Sequence, residues 1–284
     1  MNQSKKKLTN VVDAKELDLL SNKLRIKILD VINEAKGGHI GGCFSVIDLM
    51  VNIYSNFLKF DSSDPKWSER DYLILSKGHC CVALYVILNH FKFFDNDVLK
   101  KYSVNGGIVG GHPKKDDAPG IEATTGSLGH GLGIGNGIAL GSKINQKNNK
   151  VFVVMSDGEM NEGSVWESVL FAAQQKLDNL FVILDNNNQI SLDSLDNILS
   201  IEPIDEKFRK FGWNVERING HDHNDINKSL NSLIQNKEKR PSALIADTVK
   251  GKGVSFMEGV TKWHYRGPSE EEYKYALEEL RKNL

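Results

Sequence analysis

Cysteine is scarce: Cys43, Cys80 and Cys81 are the only three in 284 residues, too few for a disulfide framework. No apolar stretch reaches about 18 residues, which excludes a membrane-crossing helix, and no leader-type apolar region follows the N-terminus. Charge of neither sign dominates, with 36 Lys+Arg against 37 Asp+Glu, so nucleic acid and anionic membranes are not expected partners. The one basic run, Lys5-Lys6-Lys7, reads as a solvated tail. Internal repeats, low-complexity blocks and an obvious interdomain linker are missing, so residues 1–284 read as one elaborated domain with an N-terminal helical tail and a C-terminal helix. What is present is globular: 40% hydrophobic and 26% charged residues, against a disordered or fibrous chain. The length suffices for a large core without a disulfide or metal staple. A soluble, cytoplasmic enzyme is the starting expectation.

Apolar periodicity predicts a helix from the Asp13 cap through Ala35, with Leu17, Leu20, Leu24, Ile28 and Val31 on one stripe and Gly37-Gly38 ending it. A second helix is expected from Val46 to Leu58, opened by Ser45, and others near 80–91, 132–144, 165–176 and 225–235. Ser269 is expected to cap a charged final helix to Lys282. Val151-Phe-Val-Val-Met155 and Leu180-Phe-Val-Ile-Leu184 are continuous apolar runs, as in strands buried on both faces. Shorter strands are expected at 72–76, 213–218 and 243–247. Strand–helix alternation implies an α/β fold, a parallel sheet flanked by helices. The long Gly-rich, polar segment from Ser103 to Leu128 has a length that points to function.

Ligands of such sheets lie beyond the carboxyl ends of the strands. Ser156-Asp157-Gly158 follows the first apolar strand and Asp185-Asn186-Asn187-Asn188 the second, which brings hard oxygen donors to one rim. Mg²⁺ suits such donors, because it is held by few protein oxygens plus phosphate and water. Gly158 leaves room for a phosphate, and the helix beginning near Gly163 offers free N–H groups. The plain alternative is that Asp157 and Asn187 cap turns. The run Gly129-His-Gly-Leu-Gly-Ile-Gly-Asn-Gly137 fits no dinucleotide fingerprint, and no G-x-x-x-x-G-K-[ST] occurs. His39, His79 and His112 each follow a glycine, and His264 lies in Trp263-His-Tyr265; imidazoles so placed suit proton transfer or hydroxyl recognition, or a structural role. His221 and His223 precede a helix that Asp222 or Asn224 can cap and read as structural, as does His90. Glu69-Arg70, Lys250 and Lys252 read as solvated.

Taken in order, Gly-His39-Ile-Gly, Ser-Lys-Gly-His79, Gly-Gly-His112-Pro, Thr124-Thr-Gly-Ser-Leu-Gly129, Ser156-Asp-Gly-Glu-Met-Asn-Glu-Gly163 and Asp185-Asn-Asn187 resemble the N-terminal, diphosphate-binding part of transketolase. Lys250-Gly-Lys-Gly-Val-Ser-Phe-Met-Glu258 and Trp263-His264 resemble the separately encoded N-terminal subunit of a split transketolase. The resemblance runs from about Leu17 to Leu280. It implies a thiamine-diphosphate-binding fold and reversible transfer of a two-carbon ketol unit from a ketose (phosphate) to an aldose (phosphate). It implies thiamine diphosphate and Mg²⁺, with Ca²⁺ or Mn²⁺ as substitutes, and a place in carbohydrate metabolism such as the pentose phosphate pathway.

Carried over by position, Asp157, the Asn187 side chain and the Gln189 carbonyl would hold the metal. Gly158 and His79 would contact the diphosphate, with Gly126, Ser127 and Leu128 along the cofactor and Leu128 against its aminopyrimidine. His264 would touch the diphosphate and share proton transfers with His39, while His112 would bind the donor's terminal hydroxyl. Glu162 holds the family's acidic position after Asp-Gly, near a subunit boundary. Ser156 replaces a family glycine, His130 stands where many relatives have Gln, and Ile40 replaces a frequent proline. The resemblance stops before the pyrimidine-binding part, with its glutamate and phosphate-holding arginines. A partner chain carrying that part is therefore expected, in an α₂β₂-like assembly that includes self-association. The alternatives are another thiamine-diphosphate enzyme, deoxyxylulose-phosphate-synthase-like or acting on a modified sugar, and a non-catalytic assembly module.

Overall fold

The computed structural model describes residues 5–6 and 11–284. Two short strands, β1 (Lys5–Lys6) and β2 (Phe60–Asp61), pair antiparallel; Lys5 and Lys6 thus join a sheet where a tail is expected, and Lys7 lies outside the described residues. The main sheet is wholly parallel. Its strands are β3 (Tyr72–Leu75), β4 (Val151–Ser156), β5 (Leu180–Asn186), β6 (Asn214–Asn219) and β7 (Ser242–Asp247), in the order β3-β4-β5-β7-β6.

Every residue of β4 is buried, because helices cover both faces. Alternate residues therefore serve two separate cores. Phe152, Val154, Phe181, Ile183, Leu244 and Ala246 face the larger core, built with α1 (Ala14–Glu34), α2 (Ile40–Asn52), α3 (Cys81–His90), α9 (His223–Gln235) and α10 (Glu270–Lys282). Val151, Val153, Met155, Leu180, Val182 and Leu184 face the second, built with α5 (Gly131–Ile144), α6 (Gly163–Gln174) and α8 (Ile204–Lys210). Short α4 (Asn96–Lys100) and α7 (Leu195–Ile198) complete the chain.

The expected helix ends hold where a side chain acts. Asp13 accepts from the Glu16 N–H at the start of α1, Asp222 caps α9, and Ser269 with Glu272 forms a full capping box on α10. The second helix differs from expectation. It begins at Ile40, six residues before Val46, and its final stretch Ile53–Phe57 is a π turn. Residues 103–128 form no helix or strand, as the sequence leads one to expect. Among the described residues no helix is long and apolar enough to cross a membrane.

Candidate functional site

The register of β4 on β5 pairs Ser156 with Asp185, so Asp157 and Asn187 leave adjacent strand ends. The turn after β3 (Lys77 to Cys80) and the stretch after β7 (Thr248 to Lys250) emerge on the same rim, since all these strands run parallel. Asp157 is fully buried. Its carboxylate accepts from the Gly158 N–H at 2.7 Å and from the Asn188 N–H. Asn187 Oδ1 accepts from the Gln189 N–H at 3.1 Å, and the Gln189 carbonyl lies 3.4 Å from Lys250 Nζ. The three expected metal ligands thus lie on one short span of strand ends.

The four glycine-associated and Trp-linked histidines converge. Ring centroids lie 5.1 Å apart for His39–His79, 5.3 Å for His39–His264, 5.6 Å for His79–His264 and 6.3 Å for His39–His112. Gly126 brings the 126–128 loop to the same place: its φ is +147°, and a Cβ there would lie 2.8 Å from the His112 ring. Beyond Gly126 the loop opens, with Ser127 exposed and Leu128 half-buried. Glu162 is exposed immediately before α6.

Burial lowers His264 to about 3, helped by Lys250, His79 and His39. Burial also lowers His39 to about 4, with His79, His112 and Lys250 adding to it. Both rings are therefore neutral at pH 7. The Lys250 ammonium donates to His264 Nδ1 at 2.8 Å, which leaves the ring proton on Nε2 as a donor. A base held below its unfolded value adds stability above about pH 6.5, and that stability is lost as pH falls toward the folded values. We expect ¹⁵N imidazole signals of His39 and His264 to stay unprotonated at pH 5.5 while an exposed histidine titrates. Titration of either near pH 6.5 would contradict the arrangement.

Several members of the site have partners that the sequence does not show. Lys250, expected to be solvated, is only 3% exposed and bonds His264 and the Ile190 carbonyl at 3.2 Å; burial, with Lys77 nearby, lowers it to about 8. Lys77 pairs with fully buried Asp185, which also accepts from Ser45 at 2.6 Å and from Thr248. Buried Glu159 accepts from Ser76 and from the Gly129 N–H at 2.8 Å, tying the β3, β4 and 126–130 loops together. Arg70 is likewise not free but bidentate to Glu122 at 2.8 Å. That pair lines a cavity of about 970 Å³ at the amino ends of β3 and β4, the opposite end of the sheet from the histidines.

The residues fit a divalent cation with a diphosphate. Asp157 forms no ion pair with a protein cation among the described residues, although burial and the Asp185 charge push it up to about 7. A hard cation would satisfy that carboxylate, and an Asn oxygen and a backbone carbonyl complete a donor set suited to Mg²⁺. The His79 ring can offer a donor to phosphate oxygens, whereas the Lys250 protons are already given to the Gln189 and Ile190 carbonyls and to His264. Hard donors at the carboxyl rim of a parallel sheet, ringed by imidazoles, define a cofactor-binding α/β domain.

Comparison with known proteins gives the family. The model described as the transketolase thiamine diphosphate binding domain matches residues 17–281, and the chain belongs to that family. It is 38% identical over 268 residues to one of the subunits of the apulose-4-phosphate transketolase of Phocaeicola vulgatus, covering 94% of this chain and 95% of the relative. It is 34% identical to the 6-deoxy-6-sulfo-D-fructose transketolase subunit SqwG of Clostridium sp., covering 94% and 97%. Transketolase from Campylobacter jejuni superposes with a TM-score of 0.90 at 30% identity, covering 95% of this chain but 43% of that one. The chain thus spans less than half of that longer enzyme chain and nearly all of the two subunits.

Proposed function

We propose that this chain is the N-terminal subunit of a two-chain transketolase, moving a two-carbon ketol unit reversibly from a ketose (phosphate) to an aldose (phosphate). The observation that carries this reading is the convergence of His39, His79, His112 and His264 above the Asp157–Asn187 rim. Thiamine diphosphate, when bound with Mg²⁺ (or Ca²⁺ or Mn²⁺), supplies the electron sink for cleaving and forming the carbon–carbon bond. Asp157, Asn187 and the Gln189 carbonyl would hold the metal. Gly158 and His79 would take the diphosphate, with Gly126, Ser127 and Leu128 along the cofactor and Glu162 facing a subunit boundary. His264, its proton on Nε2, would donate to the diphosphate or a substrate oxygen. Neutral His39 would accept or return the hydroxyl proton, and exposed His112 would bind the donor's terminal hydroxyl.

The functions of the pyrimidine-binding part would be supplied by a partner chain, in a cytoplasmic α₂β₂-like assembly serving carbohydrate metabolism of the pentose phosphate type. Relatives of this chain's own length, each named as one subunit of a transketolase, support the two-chain reading. The sugars in their names favour a modified sugar as a second reading. The test compares Mg²⁺- and thiamine-diphosphate-dependent ketol transfer by the isolated chain with that of tagged chain purified from its own cells. Activity only in the second, with a co-purifying chain, is the expected result. Activity of the isolated chain would overturn the half-site reading. Ketose phosphates, modified ketoses and pyruvate as donors separate the transketolase readings from a synthase.

A further inference from the structure

Behind the cleft lies a polar cluster that the functional reading leaves unused. Asp48, on α2, is 4% exposed. Arg25 of α1 donates to its Oδ2 and, at 3.1 Å, to the Phe44 carbonyl. The same Asp48 oxygen lies 2.6 Å from His221 Nδ1, at the start of the turn into α9. The other ring nitrogen of His221 meets the backbone of the cofactor rim: the Val249 N–H points at Nε2 at 2.8 Å.

A backbone amide can only donate, so Nε2 must carry a lone pair. The ring proton then sits on Nδ1 and is donated to Asp48, which in turn is held by Arg25. Tautomer, ring orientation and backbone are determined together, much as an outer carboxylate orients a metal-bound histidine. Val249 is flanked by the two residues that enter the site. Thr248 donates to Asp185, and Lys250 reaches His264 and the Ile190 carbonyl.

We infer that His221 is a positioning residue: backed by Asp48 and Arg25, it clamps the Val249 amide and thereby sets where Lys250 stands in the cleft. Its imidazole touches neither cofactor nor substrate in this role. The consequence for chemistry rests on the cleft being the working site, whereas the clamp itself can be read in the isolated full chain. Failure of one is therefore distinguishable from failure of the other.

Two measurements test it. The ¹⁵N spectrum of the wild-type chain should show His221 protonated at Nδ1 and bare at Nε2; the opposite tautomer would overturn the clamp without any variant. Amide hydrogen exchange should then separate clamping from general stability. His221→Leu is expected to speed exchange of Val249 about tenfold or more, the scale of one lost hydrogen bond, while amides of β4 keep their protection. His221→Gln, whose side-chain oxygen can accept from the amide, should restore most of that protection. Equal acceleration in β4 and at Val249, or no rescue by glutamine, would reduce His221 to an ordinary structural residue. If the leucine variant does not fold, the wild-type tautomer and the glutamine variant still decide the matter.

Discussion

Replacing Asp157 with asparagine is expected to cut metal-dependent activity of the assembled enzyme sharply while making the metal-free chain more stable at pH 8. The two effects have one cause. Asp157 is fully buried beside Asp185, and burial with that neighbouring charge raises it from 3.8 to about 7. A carboxyl raised on folding binds more protons folded than unfolded, so stability is lost as pH rises from about 4 through about 7 and stays lost above. The loss is on the order of 4 kcal/mol. Asparagine removes the charge, so the thermal midpoint of the metal-free variant should exceed wild type at pH 8 and match it near pH 4. Wild type should gain stability when Mg²⁺ and thiamine diphosphate are added, and the variant should not. Removing the ligand that a hard cation needs should cost activity ~10²–10³-fold, the equivalent of several kcal/mol of lost charge stabilisation. Complex formation with the partner should persist. A variant that is less stable at pH 8 and still responds to Mg²⁺ would show that Asp157 only caps a turn. Unchanged activity would favour an assembly module over an enzyme.

That site was half legible in the sequence, and the division has a physical basis. Asp157 and Asn187 follow short apolar runs that read as doubly buried strands, so their place at the rim could be expected from the pattern. The histidines could be singled out because each stands in a short, recognisable setting. Lys250 could not, since Lys-Gly-Lys-Gly looks the same in water and in a cleft; its burial depends on His264, fourteen positions away in the chain, and on the Ile190 carbonyl. The partners of Glu159, Ser76 and Asp185 are hidden for the same reason: they belong to a network that exists only once β3, β4 and β5 are side by side. The misplaced start of α2 has a different cause. Ser45 is a residue type that opens helices, yet Gly41 and Gly42 before it are already helical, where other chain segments press on them. A Cβ at Gly41 would lie 2.9 Å from the Trp263 carbonyl, and one at Gly42 only 2.5 Å from Cys80 Sγ. Glycine there serves close approach, which brings His39 at the helix start to His79 and His264.

Lys77 and Asp185 carry the second large effect, because their charges are buried together at 1% and 0% side-chain exposure. Lys77→Met alone is expected to cost ~3–5 kcal/mol, since it leaves Asp185 charged and uncompensated next to Asp157. Against the cost of burial, the Asp185 carboxylate holds Lys77 above its ordinary value, so the ammonium stays charged at neutral pH. The double variant Lys77→Met with Asp185→Leu should recover most of that stability, as apolar replacements of buried pairs often do. It should not recover the site. Asn187 Nδ2 lies 3.4 Å from Ser45 Oγ and 3.5 Å from Asp185 Oδ2, so these acceptors turn the amide nitrogen away and leave Oδ1 for the cation. Without Asp185 that orientation is lost, and Mg²⁺ affinity should fall ~10–100-fold, as when the group that orients a metal ligand is removed. Denaturant midpoints and Mg²⁺-induced thermal shifts of the two variants measure both quantities. A double variant that is stable and binds Mg²⁺ as wild type does would mean the ion pair serves folding alone; stability regained without metal affinity would mean this charge is kept for the site.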